Sequence, residues 1–346
     1  MSKMLEEIRQ QPAALERTLQ GARGQIEELR QQLTRNRPRL VVLAARGTSD
    51  NAAQFGRYLL EILTGIPVAL AAPSIFTLYG ASLDLKDALL IAISQSGEST
   101  DTNLVLERAK EQGALTIGIT NEPLSTLARI AGHTLLVQAE REQSVAATKT
   151  YTGQLMMMYL MAYALGGKVT LDQLAKLPEL AERALTLEPE IADRAPRYRF
   201  MDHAVVVGRG LNYASAFEFA LKLMETCYVV AERFSAADFA HGPIAMVEGS
   251  FPSFLFTPAG VTWPAMREML ARLNQLQAET LILTDQSNRE AREQHQRAIV
   301  VPCEIEELFT PIPYIIPAQL LAARLAFEKG VNPDAPRTLS KVTRTL

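Results

Sequence analysis

The chain repeats itself at a distance of 163 positions, and that repeat limits what it can fold into. "LVVLAARGTSDNAAQFGRYLLEI" from Leu40 and "HAVVVGRGLNYASAFEFALKLMET" from His203 share one plan: a buried strand, a tight R-G turn and a helix. Gly47 and Gly210 stand 163 residues apart, as do Tyr151 of "YTGQLMMMYLMAYALGG" and Tyr314 of "YIIPAQLLAARLAFEKG". Between these landmarks, "LTIGITNEP" from Leu115 is echoed by "LILTDQS" from Leu281, and "HTLLVQ" from His133 by "AIVVP" from Ala298. A period this long marks a duplicated domain, because solenoid repeats run roughly 20 to 50 residues. The strand-like runs "LVVLA", "DALLIAIS", "GALTIGIT" and "HTLLVQ" are almost continuously apolar. Strands of a parallel sheet covered by helices on both faces have that composition. The predicted fold is therefore α/β, with two tandem flavodoxin-like units, each a doubly wound parallel sheet.

The rest of the chain fits around the two copies. Residues 1–37 alternate polar and apolar at helical spacing, punctuated by Pro12 and Pro38, and are predicted to be an N-terminal segment of one or two amphipathic helices. The first unit spans 38–176, a charged helical linker 177–198, the second unit 199–330, and a tail 331–346 closes the chain. Two prolines and Leu339 in "NPDAPRTLSKVTRTL" predict that the tail is pinned against the body.

Composition removes several classes of function. A net charge of −3 without any long basic run leaves no electrostatic footprint for nucleic acid. Two cysteines, Cys227 and Cys303, are too few for a disulfide framework and lie outside metal-ligand spacing; both read as small core residues in a reducing compartment. The opening "MSKMLEEIRQQPAALERTL" lacks the apolar stretch of a signal peptide. "QLMMMYLMAYALGG", Gln154 to Gly167, is shorter than the roughly 20 apolar residues a membrane span needs, so it reads as a buried core helix. The expected location is the cytoplasm.

The chemistry of the first copy concentrates in "SQSGES", Ser94 to Ser99, between an apolar strand and the helix "DTNLVLERAKEQG". Ligands of doubly wound sheets bind outside the carboxyl ends of the strands. Hydroxyls, an amide and backbone N–H groups at a helix N-terminus make an anion cradle that needs no lysine. "RGTSDN", Arg46 to Asn51, adds Thr48 and Ser49 at the neighbouring strand end, and "SVAATKT", Ser144 to Thr150, is expected to close the pocket. Such residues commonly only cap a helix; two such loops at adjacent strand ends point to a shared ligand, with a small phosphate group the best fit. The second copy has lost the serines and reads "FTPAGV", Phe256 to Val261.

The second copy offers different groups. Glu218, Lys222 and Glu225 fall on one helical face. An exposed ladder of salt bridges would explain them on an ordinary helix. This one is apolar almost all round, and buried charges are costly unless paired or employed. His241 in "AHGPIA" and Lys341 in the tail complete the set of candidates.

The ordered motifs "RGTSDNA", "SQSGEST-DT", "SVAATKTYTGQL", "E-ALKLMET-Y--AE-F---DF-HGP" and "APRTLSKVT" resemble the double-SIS (sugar isomerase) family across Arg46 to Leu346. Within it, the chain is similar to the isomerase half of glucosamine-6-phosphate synthases and to stand-alone glucosamine-6-phosphate deaminases. The resemblance implies that Ser49, Ser94, Gln95, Ser96 and Ser99 hold a sugar phosphate, and that Thr48, Val145 and Ser340 line the sugar chain. It makes Glu225 the carboxylate that shuttles a proton between C1 and C2, with Lys222 beside it and Lys341 near C2. It makes His241 the ring-opening group, entering the site of the neighbouring subunit of a homodimer. No metal and no other cofactor is implied. Two departures favour deamination over glutamine-dependent synthesis: the sequence carries no glutaminase domain with its amino-terminal cysteine, and Ala147 stands where the synthases have a serine.

Overall fold

The computed structural model describes residues 2–294, 297–339 and 341. Its first sheet contains β1 (Leu40–Ala44), β2 (Val68–Leu70), β3 (Ala88–Ile93), β4 (Leu115–Thr120) and β5 (His133–Leu136), all parallel, in the order β2-β1-β3-β4-β5. The second contains β6 (His203–Gly208), β7 (Val230–Ser235), β8 (Pro252–Phe256), β9 (Glu279–Asp285) and β10 (Ala298–Val301). Its order is β10-β9-β8-β6-β7, which is the same order when read from the other edge. This is the flavodoxin-like 2-1-3-4-5 arrangement, used twice as the repeat predicted. Every residue of β3, β8 and β9 is buried, which accounts for the unbroken apolar sequence of β3 and the apolar centres of β8 and β9.

The chain divides into two compact units, each built around one sheet. The first-sheet unit holds Gln10–Gln143, Ala147–Pro178, and Leu339 and Lys341 of the tail. The second-sheet unit holds the chain up to Arg9, Ser144–Ala146 and Glu179–Thr338. The N-terminal segment is thus two helices, Lys3–Arg9 and Gln11–Arg35, that belong to different units. Likewise "SVAATKT" is divided after Ala146.

In the first-sheet unit the helix Lys149–Ala164 packs against Gln11–Arg35 and against Thr48–Thr64. It is buried on nearly every side and is a core helix, as its length predicted. Among the described residues no helix is long and apolar enough to cross a membrane. In the second-sheet unit the helix Asn212–Cys227 packs against Pro311–Glu328, which also contacts Lys3–Arg9. The tail up to Thr338 is pinned to this unit. Asp334 Oδ1 accepts hydrogen bonds from Ser2 Oγ and Met4 N at 3.0 Å each, and its Oδ2 accepts from Lys3 N at 2.9 Å. Three donors at the start of a helix are thereby satisfied by one carboxylate. Arg337 donates its backbone N–H to the Tyr228 hydroxyl at 2.8 Å and lays its guanidinium 4.4 Å from that ring's centre.

The cysteines need one correction. Cys227 is buried and its thiol is pushed up to about 11 by burial, so it is inert. Cys303 is only half-buried, beyond β10, and is not a core residue.

Candidate functional site

β1 and β3 are hydrogen-bonded neighbours, and the chain leaves β1 toward β2 on one side but returns to β3 on the other. The loops that follow these two strands therefore flank the switch point where doubly wound sheets take ligands. The first loop ends at Gly47 and leads into Thr48–Thr64; the second, Ser94–Ser99, leads into Thr100–Glu111. Gly97 turns the second loop with a φ of 65°. A Cβ there would lie 2.1 Å from Ser125 Oγ, so only glycine fits.

The serines brace this loop as acceptors. Ser94 Oγ accepts the Gly97 N–H at 3.1 Å, and Ser96 Oγ accepts the Glu98 N–H at 3.2 Å. Ser49 Oγ accepts from Gln154 Nε2 at 2.9 Å, and Ser99 shares a hydroxyl–hydroxyl bond of 3.0 Å with Thr102. A hydroxyl that accepts one bond keeps its own proton to give. Ser49, Ser94 and Ser96 are thus set as donors, the polarity an anion requires. Asp101 in the first turn would oppose an anion, but Arg46 of the neighbouring loop pairs with its Oδ2 at 3.0 Å. The pair cancels that charge and ties the two loops together. Gln95 in the second loop and Thr48, the first residue of the helix after the first loop, are half-buried.

The second-sheet unit carries the acid cluster. Lys222, with no exposed side-chain surface, sits 2.6 Å from Glu225 Oε2 and 3.3 Å from Glu218 Oε1. The two acids differ: Glu218 is fully buried, whereas 23% of the Glu225 side chain reaches the surface. The periodicity placed all three on one face, and the burial of Glu218 and Lys222 makes that face an interior ladder with only Glu225 reaching the surface. Burial opposes the charge on Lys222, but Glu218 and Glu225 outweigh it and hold the ammonium well above the ordinary lysine range. Lys222 is accordingly a permanent cation that positions Glu225, with no proton to exchange near neutrality.

His241 ends the short helix Ala236–Ala240, donates its backbone N–H to Asp238 O at 3.1 Å, and is exposed on its own unit. Val145 is half-buried in the second-sheet unit, whereas Lys341 belongs to the first. Ser340 lies outside the described residues. Among those residues no cluster of three or more His, Cys, Asp or Glu is arranged to hold a metal.

Sequence reasoning missed Glu142. This buried carboxylate accepts hydrogen bonds from Thr148 N at 2.8 Å, Thr150 N at 3.2 Å and Thr150 Oγ1 at 2.6 Å, and pairs with Lys341 Nζ at 2.8 Å. It ties the tail lysine to the start of Lys149–Ala164. Burial alone would raise its carboxyl, yet Lys341 and these donors hold it below the ordinary carboxylate range. Its place in the polar run "AEREQ" gave no periodic signal.

A family model described as the SIS domain matches residues 34–164 and 199–329. The chain belongs to the SIS domain family, in two copies. It is 36% identical over 348 residues to a glutamine–fructose-6-phosphate aminotransferase (isomerizing) of Pyrococcus horikoshii, covering 98% of this chain and 57% of that protein. The chain thus spans little more than half the length of such relatives. It is also similar to the C-terminal domain of glucosamine-fructose-6-phosphate aminotransferase from Francisella tularensis, with a TM-score of 0.87, 27% identity, and coverage of 97% and 98% of the two chains. The glucosamine-6-phosphate deaminase structure from Thermotoga maritima shares the fold, with a TM-score of 0.75 at 23% identity and coverage of 99% and 100%.

Glu142→Gln removes the partner of Lys341 and is expected to lower unfolding free energy by about 3 kcal/mol, as breaking a buried pair does. A carboxylate depressed in the fold contributes stability above its unfolded pKa and loses it as pH falls through the folded value. Denaturant titrations from neutral to acid pH should therefore show the gap between wild type and variant closing below the ordinary carboxylate range. A gap independent of pH would remove the charge of Glu142 from the explanation.

Proposed function

We propose that this chain acts on a phosphorylated amino sugar, converting glucosamine 6-phosphate and water to fructose 6-phosphate and ammonia by acid–base proton transfer. One observation carries the reading: the chain combines an uncharged donor cradle of strand-end serines with a carboxylate that reaches the surface and is backed by a buried lysine. The first suits a phosphate anchor, and the second suits a proton carrier.

In this reading Ser49, Ser94, Gln95, Ser96 and Ser99 hold the phosphate, and Thr48, Val145 and Ser340 line the sugar chain. His241 opens the ring by moving a proton between O1 and O5. Glu225 takes the C2 proton and returns it at C1 through an enolamine, and Lys222, 2.6 Å away, aims the carboxylate. Lys341 stands near C2, steadied by Glu142. Water then adds to the C2 imine and ammonia leaves, so the nitrogen lost from C2 is replaced by oxygen. Positioned acids and bases each contribute about 100- to 10,000-fold, and the remote phosphate lets binding energy organise the reacting carbons.

A second reading keeps the site and changes the outcome to ketose–aldose isomerisation or amination of fructose 6-phosphate by free ammonia. The aminotransferase names of the 36%-identical relative and of the Francisella tularensis structure favour it. Ammonia release from glucosamine 6-phosphate, with no glutamine present, separates the readings. Deamination predicts release that falls at least 1,000-fold in Glu225→Gln, roughly the upper part of that acid–base range, while sugar-phosphate affinity is nearly unchanged. Binding without release moves the weight to the second reading.

The exposure of His241 supports its acting in the site of a second copy, which makes the working form a homodimer. Mixing inactive Glu225→Gln and His241→Ala under conditions that exchange subunits then restores up to about a quarter of wild-type activity, since half the dimers carry one intact shared site. No recovery after proven exchange would place the histidine within its own chain's site.

A further inference from the structure

The 163-residue register carries the phosphate loop into the second copy residue by residue. Ile93 and Phe256 end β3 and β8, Gly97 corresponds to Gly260, and Ser99 corresponds to Thr262. Both glycines turn the chain with positive φ, 65° and 131°. Each loop opens into a helix, Thr100–Glu111 in one copy and Trp263–Gln275 in the other. The donors differ: Ser94, Gln95 and Ser96 become Thr257, Pro258 and Ala259.

The second loop holds something the first lacks. Glu307 Oε2 accepts the Val261 N–H at 2.6 Å, and its Oε1 accepts the Thr262 hydroxyl. A Cβ on Gly260 would lie 2.1 Å from Glu307 Oε2, so the glycine turn closes directly on the carboxylate. Glu307 opens the short 3-10 helix Glu307–Phe309 between β10 and Pro311–Glu328, in register with the neutral Ser144. An oxyanion held by a backbone N–H and a hydroxyl at the head of a thirteen-residue helix is held as such loops hold phosphate. The nearby acid Glu290 accepts the Trp263 indole N–H at 2.7 Å and is paired with Arg267 at 2.9 Å.

We propose that the second copy retains an anion site of the same design, and that Glu307 fills it from within. The site takes a small oxyanion of the phosphate class once the carboxylate is withdrawn, and in the native chain only the first copy's cradle is open. The inference rests on the reading of Ser94–Ser99 as a phosphate cradle. It explains how a duplicated chain came to hold one phosphate while its second loop stayed folded.

The test uses the full chain and inorganic phosphate. Glu307→Ala, and Glu307→Ser, which matches the first copy's residue at that register, should each bind one more phosphate per chain than wild type in equilibrium dialysis. Both should also lose thermal stability in chloride and regain more of it in phosphate than wild type gains. Wild type binding no phosphate while the variants bind one would contradict the first-copy cradle and leave this proposal standing. If neither variant gains a site and phosphate stabilises them no more than wild type, Glu307 is only a brace for the loop and the proposal fails. Glu307→Ala that cannot be kept folded leaves the same comparison to Glu307→Ser.

Discussion

Lys222 is cut off from water, and its charge is tolerable only because two carboxylates share it. Moving an ammonium into the interior costs several kcal/mol unless it is compensated. Glu218 and Glu225 supply that compensation at 3.3 and 2.6 Å. Of the two acids, Glu225 reaches the surface and Glu218 does not. The arrangement tolerates pH well. A lysine whose folded pKa is raised contributes stability that is complete below its unfolded value and lost only as pH rises through the raised one. Throughout the neutral range the cation is fixed.

Around that cluster, duplication has produced divergence. Both copies keep the sheet order, the glycine turn after the third strand and the helix beyond it. The first copy spends its turn on hydroxyl donors and neutralises Asp101 with Arg46. In the second copy a carboxylate of the chain itself lies on the corresponding turn, and the distinctive chemistry moves to the helix that follows β6. One copy offers donors without net charge; the other offers an acid with its counter-ion.

The fold was readable because both of its signals are periodic. Parallel strands buried on two faces produce unbroken apolar runs, and the 163-residue offset repeats their order. Glu218, Lys222 and Glu225 were readable for the same reason, because helical spacing puts them on one face and apolar neighbours make that face interior. Glu142 and Glu307 were not. Each lies outside the strands and α-helices, and its partners are set by tertiary structure: Lys341 lies 199 positions from Glu142, and Val261 lies 46 from Glu307. The break between Lys3–Arg9 and Gln11–Arg35 was equally silent, since two amphipathic helices have the same pattern whether they share a core or not. Cys303 was misread because a lone cysteine carries no pattern from which depth can be judged.

In the proposed reaction Glu225 moves a proton between neighbouring carbons of a sugar phosphate. Incubating the protein with fructose 6-phosphate and ammonium in deuterium oxide, and following C1 by proton NMR, measures that step whichever net reaction prevails. That transfer brings deuterium into C1 with wild type and none above background with Glu225→Gln. Firm binding of the sugar phosphate with no exchange at C1 in the wild type would contradict it.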